Sequence, residues 1–145
     1  MPSATFYHTA TIDDPKEEVW DGLQDPDIWN AIGPVQKVWD PTFNDGVLTG
    51  FLWSTQLGGA SYQGTGTATV QDRPDQYQLV LDTSEMAGTI TVDLTSTNGG
   101  GTEINVAVEV RSKGFLTAVF FPMVSKAIGD GLPDQVEEMA AQLAG

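Results

Sequence analysis

His8 is the single histidine of a 145-residue chain, and histidine is the side chain whose ordinary pKa lies nearest neutrality. In the alternation of Phe6, His8, Ala10 and Ile12 against Tyr7, Thr9 and Thr11, it falls on the apolar face of a strand. Proton transfer in an interior would start there, with Tyr62 as the second proton carrier. The plainer role is a histidine held by a hydrogen bond in a core or cavity wall. A serine triad has no motif behind it, because Ser61 and Ser84 lie in no strand-turn-helix elbow of the G-x-S-x-G kind. The chain has no cysteine, which excludes disulfides, thiolate catalysis and cysteine metal sites, and one histidine excludes a multi-histidine centre. No metal is expected.

Carboxylate pairs could serve hydrolysis or dehydration, and Glu103 with Glu109 or Asp82 with Asp93 are the strand candidates. Their parity opposes that of the apolar residues, so they read as solvated charges on an outer face. Asp13 and Asp14 precede Pro15 and read as the cap of a helix rather than as a ligand pair. Gly64-Thr65-Gly66 lacks the third glycine of a dinucleotide fingerprint and is followed by no helix, so no nucleotide cofactor is expected. Two glycines on the inward face of a strand leave room under whatever covers the sheet.

These residues need elements to position them. A strand over residues 4–12 is followed by a short helix that Pro15 begins, with Val19, Trp20 and Leu23 on its apolar side. Asp25-Pro26 repeats the start signal, which predicts a second short helix over 26–31 with Ile28, Trp29 and Ile32 turned inward, ended by Gly33-Pro34. Turn signals then recur about every ten residues: Asn44-Asp45-Gly46, Gly58-Gly59, Arg73-Pro74-Asp75, Ala87-Gly88 and residues 98–101. They divide the chain into strands over 35–43, 47–57, 60–72, 76–86, 89–97 and 102–113, joined as antiparallel hairpins. Sixteen threonines support strand over helix.

The last stretch, 113–144, reads as one long helix opened by Gly114 and ended by Gly145. Leu116, Phe120, Val124, Ile128, Leu132 and Val136 stand at i+4 spacing, continued by Met139 and Leu143. Phe115, Val119, Phe121 and Met123 widen the apolar face of its first half, which carries no charge between Lys113 and Lys126. That half is too apolar for a simple surface helix. It can serve as a cavity lid, the use favoured here, as a homodimer contact, or as a membrane touch.

A small number of polar groups among many aromatics is the composition of a pocket. The wall is expected to draw on His8, Trp29, Phe51, Trp53, Tyr62, Gly66, Leu79, Leu81, Ile90, Val106, Phe120, Met123 and Ala127, with Thr55 as a further polar member. Core packing is the default for any one aromatic.

Composition bounds the function. At this length and 40% apolar content, one domain over residues 1–145 is expected. No apolar run is long enough to cross a membrane, and the first ten residues lack the pattern of a signal peptide, so a cytoplasmic protein without stable membrane insertion is expected. Twenty acidic against six basic residues give a net charge of −14, which repels nucleic acid and anionic lipid.

The run Ile12-Asp13-Asp14-Pro15-Lys16-Glu17-Glu18-Val19-Trp20-Asp21-Gly22-Leu23, then Asp25-Pro26, Trp29 and Ile32-Gly33-Pro34-Val35, resembles the opening of the START/Bet v 1-like (SRPBCC) superfamily. Arg73-Pro74, Gly101-Thr102-Glu103 and the Gly114 helix start fit as well, so the likeness spans nearly the whole chain. The most similar members are those of the polyketide cyclase/dehydrase type and those like the G-type subunit of carbon monoxide dehydrogenase. The resemblance implies an α+β helix-grip fold: a curved antiparallel sheet of about seven strands around a long C-terminal helix, with two short helices after the first strand. Members of the superfamily bind lipids, quinones, hormones or polyketides, and only some are enzymes. Binding or carriage of a small apolar molecule follows as the leading expectation, without cofactor. A polyketide cyclase or dehydratase using His8 or Tyr62 is the rival, and a regulatory or structural partner protein with a vestigial pocket is the third.

Overall fold

Alternation in the sequence becomes a sheet with two unlike faces. The computed structural model describes all residues except Met1, Ala31, Gly58 and Gly145, and the backbone alone of Leu57, Phe115, Leu116 and Thr117. Strand β1 (Ser3–Ile12) leads to helix α1 (Lys16–Gly22) and a 3-10 turn (Pro26–Trp29). Six strands follow: β2 (Lys37–Asn44), β3 (Val47–Leu57), β4 (Ala60–Asp72), β5 (Gln76–Asp82), β6 (Met86–Ser96) and β7 (Thr102–Ser112). Helix α2 (Phe115–Leu143) closes the chain.

The sheet runs β1-β7-β6-β5-β4-β3-β2, antiparallel throughout. Consecutive strands pair through hairpins, while β1 returns to lie against β7 in unbroken register from Ser3↔Arg111 to Ile12↔Thr102. Pairing of first with last strand is what lets one sheet curve round one helix, since β1 and β2 then form the two free edges. The helix-grip architecture expected from the sequence is the architecture present.

Strand parity holds across the sheet. Phe51 and Trp53 of β3, Tyr77, Leu79 and Leu81 of β5, Ile90, Val92 and Leu94 of β6, and Ile104, Val106, Val108 and Val110 of β7 are buried together with Ile128, Leu132, Val136 and Met139 of α2. Asp82, Asp93, Glu103 and Glu109 take the outer face, as their parity requires. There Asp82 accepts from Lys113 Nζ at 2.6 Å, Asp93 from Gln76 Nε2 at 2.7 Å and Glu109 from Arg111 at 3.0 Å.

Four local expectations need correction. Neither Asp13 nor Asp14 caps α1: Pro15 occupies the N-cap position and makes no side-chain cap bond, and the Asp14 carbonyl instead accepts from the Thr102 hydroxyl at 2.8 Å. The second short helix spans Pro26–Trp29 alone, capped by the Asp25 carboxylate on Asp27 N–H at 3.0 Å. The turn between β5 and β6 falls at 83–85 rather than at Ala87-Gly88, because the Thr83 hydroxyl bonds Met86 N–H at 3.0 Å and Met86 C=O at 3.0 Å. Gly88 sits inside β6, where a side chain would meet the Glu109 carbonyl oxygen at 2.8 Å.

The fourth correction concerns the helix. Phe120 is 43% exposed and Phe121 is buried in its place. An α-helix turns by about 100° per residue, so Phe121 lies about 20° from Ile128, whereas Phe120 lies about 80° away and about 160° from Val136. A strict i+4 line leaves the buried face within a few turns. The expectations for Leu116 and Phe115 as side chains, and for Gly145 as the helix end, lie outside the described residues.

Candidate functional site

Helix α2 does not cover the sheet evenly. It runs in the same sense as β1, with the Phe6 ring against Gly129, where an added methyl group would meet Cε1 at 2.5 Å. Farther along, His8 Nε2 meets Glu137 Oε2 at 2.9 Å. Having settled on the β1 and β7 side, α2 leaves a gap toward β3 at its middle turns. The gap is a cavity of about 450 Å³, walled by Gly33, Pro34, Val35 and Gln36 ahead of β2, Thr55 and Gln56 of β3, and Met123, Val124, Ala127, Ile128 and Gln135 of α2.

Each wall has a local cause. Gly33 adopts φ +58, a conformation that favours glycine, and a side chain there would press on Val108 Cγ1 at 3.0 Å. Its N–H donates to Gln135 Oε1 at 2.9 Å, which pins the turn to the helix. Thr55 takes the inward parity of β3 and is 2% exposed, yet its hydroxyl has no hydrogen-bond partner among the described residues. A buried hydroxyl without a partner is costly. It lines the cavity, where an occupant can satisfy it.

The structure gathers few of the expected site residues here. Met123 and Ala127 line the cavity. Trp29 is fully buried, donates Nε1–H to the Leu23 carbonyl at 3.0 Å and lies 5.5 Å from the Tyr77 ring. Trp53 is likewise buried and donates to the Thr65 carbonyl at 2.9 Å. Leu79, Leu81, Ile90 and Val106 belong to the continuous core. The room that Gly66 leaves is filled by the Phe51 ring, 2.7 Å from where a methyl group would stand. His8 is half-buried against α2, Tyr62 is half-buried on β4 opposite Thr55, and Phe120 is largely exposed. Gln36, Gln56 and Gln135 are additions to the expected set. The Gly33-Pro34 stop signal marks their neighbourhood in the sequence without revealing that α2 crosses it.

Charge is kept off this cavity. No charged side chain lines it among the described residues, and none of the residues outside that set has one by type. Along α2, Lys126 pairs with Asp130 at 2.6 Å on the exposed side, which raises the Lys126 pKa through that hydrogen bond. A wider surface groove of about 800 Å³ lies between the 3-10 turn and the last turns of α2, with Asp27, Asp134 and Glu138 on its rim. Its acidic rim distinguishes it from the uncharged cavity. Among the described residues no cluster of three His, Cys, Asp or Glu side chains is placed to hold a metal ion, and no helix is long and apolar enough to cross a membrane.

No protein-family model matches the chain, and no curated protein matches it by sequence. Solved structures do match. A START superfamily protein from Mycobacterium smegmatis superposes with a TM-score of 0.68 at 14% identity, over 96% of this chain and 98% of that one. The di-domain ARO/CYC BexL from the BE-7585A biosynthetic pathway gives 0.69 at 16% identity, over 98% of this chain and 49% of that one, so this chain spans about half of BexL. Ara h 8.0201 gives 0.56 at 14% identity, over 99% and 100%. At these identities the likeness is one of fold, and the chain carries the helix-grip fold shared by START, Bet v 1-like and polyketide cyclase proteins.

Proposed function

We propose that this protein binds and carries a small apolar molecule, lipid-, quinone- or polyketide-like, in the cavity between β3, the Gly33 turn and α2. The observation that supports this most is a largely apolar space of about 450 Å³ with the unpartnered Thr55 hydroxyl in its wall. Transfer of apolar surface out of water stabilises by about 25 cal/mol per Å², and a few placed polar groups then orient the occupant. Resemblance to a superfamily whose members bind such molecules points the same way.

Catalysis as a cyclase or dehydratase is the weaker reading. It needs polar groups converging on one reacting atom, and neither His8 nor Tyr62 is in the described lining of the cavity. His8 is instead engaged by Glu137.

Native mass spectrometry of the protein as purified, followed by titration with a fluorescent apolar probe, tests the proposal. The expected result is a retained apolar molecule, or saturable uptake of one probe per chain. A bare chain that takes up no probe overturns it.

A further inference from the structure

The described lining of the cavity offers hydrogen-bond groups and no charge. We infer that the ligand is electrically neutral and carries a hydroxyl or carbonyl group that Thr55 recognises, and that carboxylates of the same shape are rejected. This rests on the binding reading above and deepens it.

Three observations support the inference together. First, Thr55 is 2% exposed and unpartnered among the described residues, so its hydroxyl can both donate and accept toward an occupant. Second, the remaining polar lining is amide: Gln36, Gln56 and Gln135. Gln135 has its oxygen taken by Gly33 N–H, which leaves its amide hydrogens for an acceptor. Third, the cations near the cavity in sequence are engaged elsewhere: Lys126 pairs with Asp130 at 2.6 Å, and Lys37 Nζ lies 5.7 Å from the centre of the Trp39 ring.

An ionised carboxylate entering this space would lose its hydration with no cation to replace it. The net charge of −14 adds repulsion at the approach. A hydroxyl or carbonyl loses far less on transfer and recovers it through Thr55. A neutral molecule, apolar but for one such group, is therefore the class that satisfies both the wall and the buried hydroxyl.

Displacement of a bound fluorescent probe by compounds of matched chain length separates the outcomes. Dodecanol and methyl dodecanoate are expected to displace the probe at least about a hundredfold more tightly than dodecanoate at pH 8, the scale of leaving a buried charge unpaired. Thr55→Val should weaken dodecanol about fivefold to tenfold, the worth of one hydrogen bond, while leaving dodecane unchanged. Thr55→Ser, which keeps the hydroxyl, should retain the preference and shows that the fold survives substitution there. Equal displacement by dodecanoate and dodecanol, or indifference of dodecanol to Thr55→Val, overturns the inference while leaving the binding reading standing. Failure of every compound and of the probe itself overturns both.

Discussion

His8 on β1 and Glu137 on α2 are joined by a hydrogen bond of 2.9 Å between Nε2 and Oε2. The pair ties the first strand to the last helix beside the core, with side chains 28% and 59% exposed. Partly exposed ion pairs are worth about 0–1 kcal/mol, so this contact adds little to stability.

His8→Ala is therefore expected to lower unfolding free energy by about 1 kcal/mol or less and to leave probe affinity unchanged, because His8 is not in the described lining of the cavity. Denaturant unfolding and probe titration on one preparation check both. A large loss of affinity with an intact fold would return His8 to the site.

Ala127 lines the cavity and is exposed on α2. Ala127→Trp should fill the space and weaken the probe about tenfold or more, the scale on which a pocket rejects a group that does not fit. Its melting temperature should stay near that of the parent. Unchanged affinity would remove the cavity as the binding place.

Gly66→Ala should behave in the opposite way. A methyl group there would meet Phe51 Cε1 at 2.7 Å, and overpacking a core typically costs about 1–3 kcal/mol. The variant is expected to lose stability, and Phe51→Leu in the same chain should restore part of it. Thermal unfolding of the single and double variants measures the coupling.

Gly129→Ala sets helix propensity against packing. Alanine is favoured over glycine in a helix by about 1 kcal/mol, yet the added methyl group would meet Phe6 Cε1 at 2.5 Å. Overpacking costs about 1–3 kcal/mol and outweighs the gain in propensity, so net destabilisation is expected. A rise in stability on denaturant unfolding would mean that the Phe6 ring moves aside freely.

Tyr77 is fully buried, donates its hydroxyl to the Leu48 carbonyl at 2.6 Å, and has its phenol pKa pushed up by burial. A group whose pKa is raised on folding contributes stability that is complete below its unfolded value and declines as pH rises past it. Part of the loss of stability above about pH 10, where an unfolded tyrosine ionises, is thus assigned to Tyr77. Tyr77→Phe should cost about 1 kcal/mol at neutral pH and flatten the alkaline slope, as unfolding measured from pH 8 to 11 would show.

Local periodicity decided much of this protein before any folding was considered. A period of two placed Trp53, Tyr77, Leu79, Ile90 and Val106 on one face and Asp82 and Glu103 on the other, because a strand turns its side chains over at every residue whatever it pairs with. Turn residues fixed most strand ends, and the order of elements, with its resemblance to a known superfamily, was enough to anticipate the fold. Helix azimuth was less legible, since Phe120 and Phe121 differ by only about 100° and the sheet beneath α2 decides which is buried. The cavity was least legible. Its wall joins Gly33, Thr55 and Ala127, which are far apart in sequence and meet where α2, held by Phe6 on Gly129, parts from β3. Gly66 shows the same limit in one residue: the sequence marked a missing side chain, and only tertiary packing settled that Phe51 fills the space, because the occupant comes from the neighbouring strand.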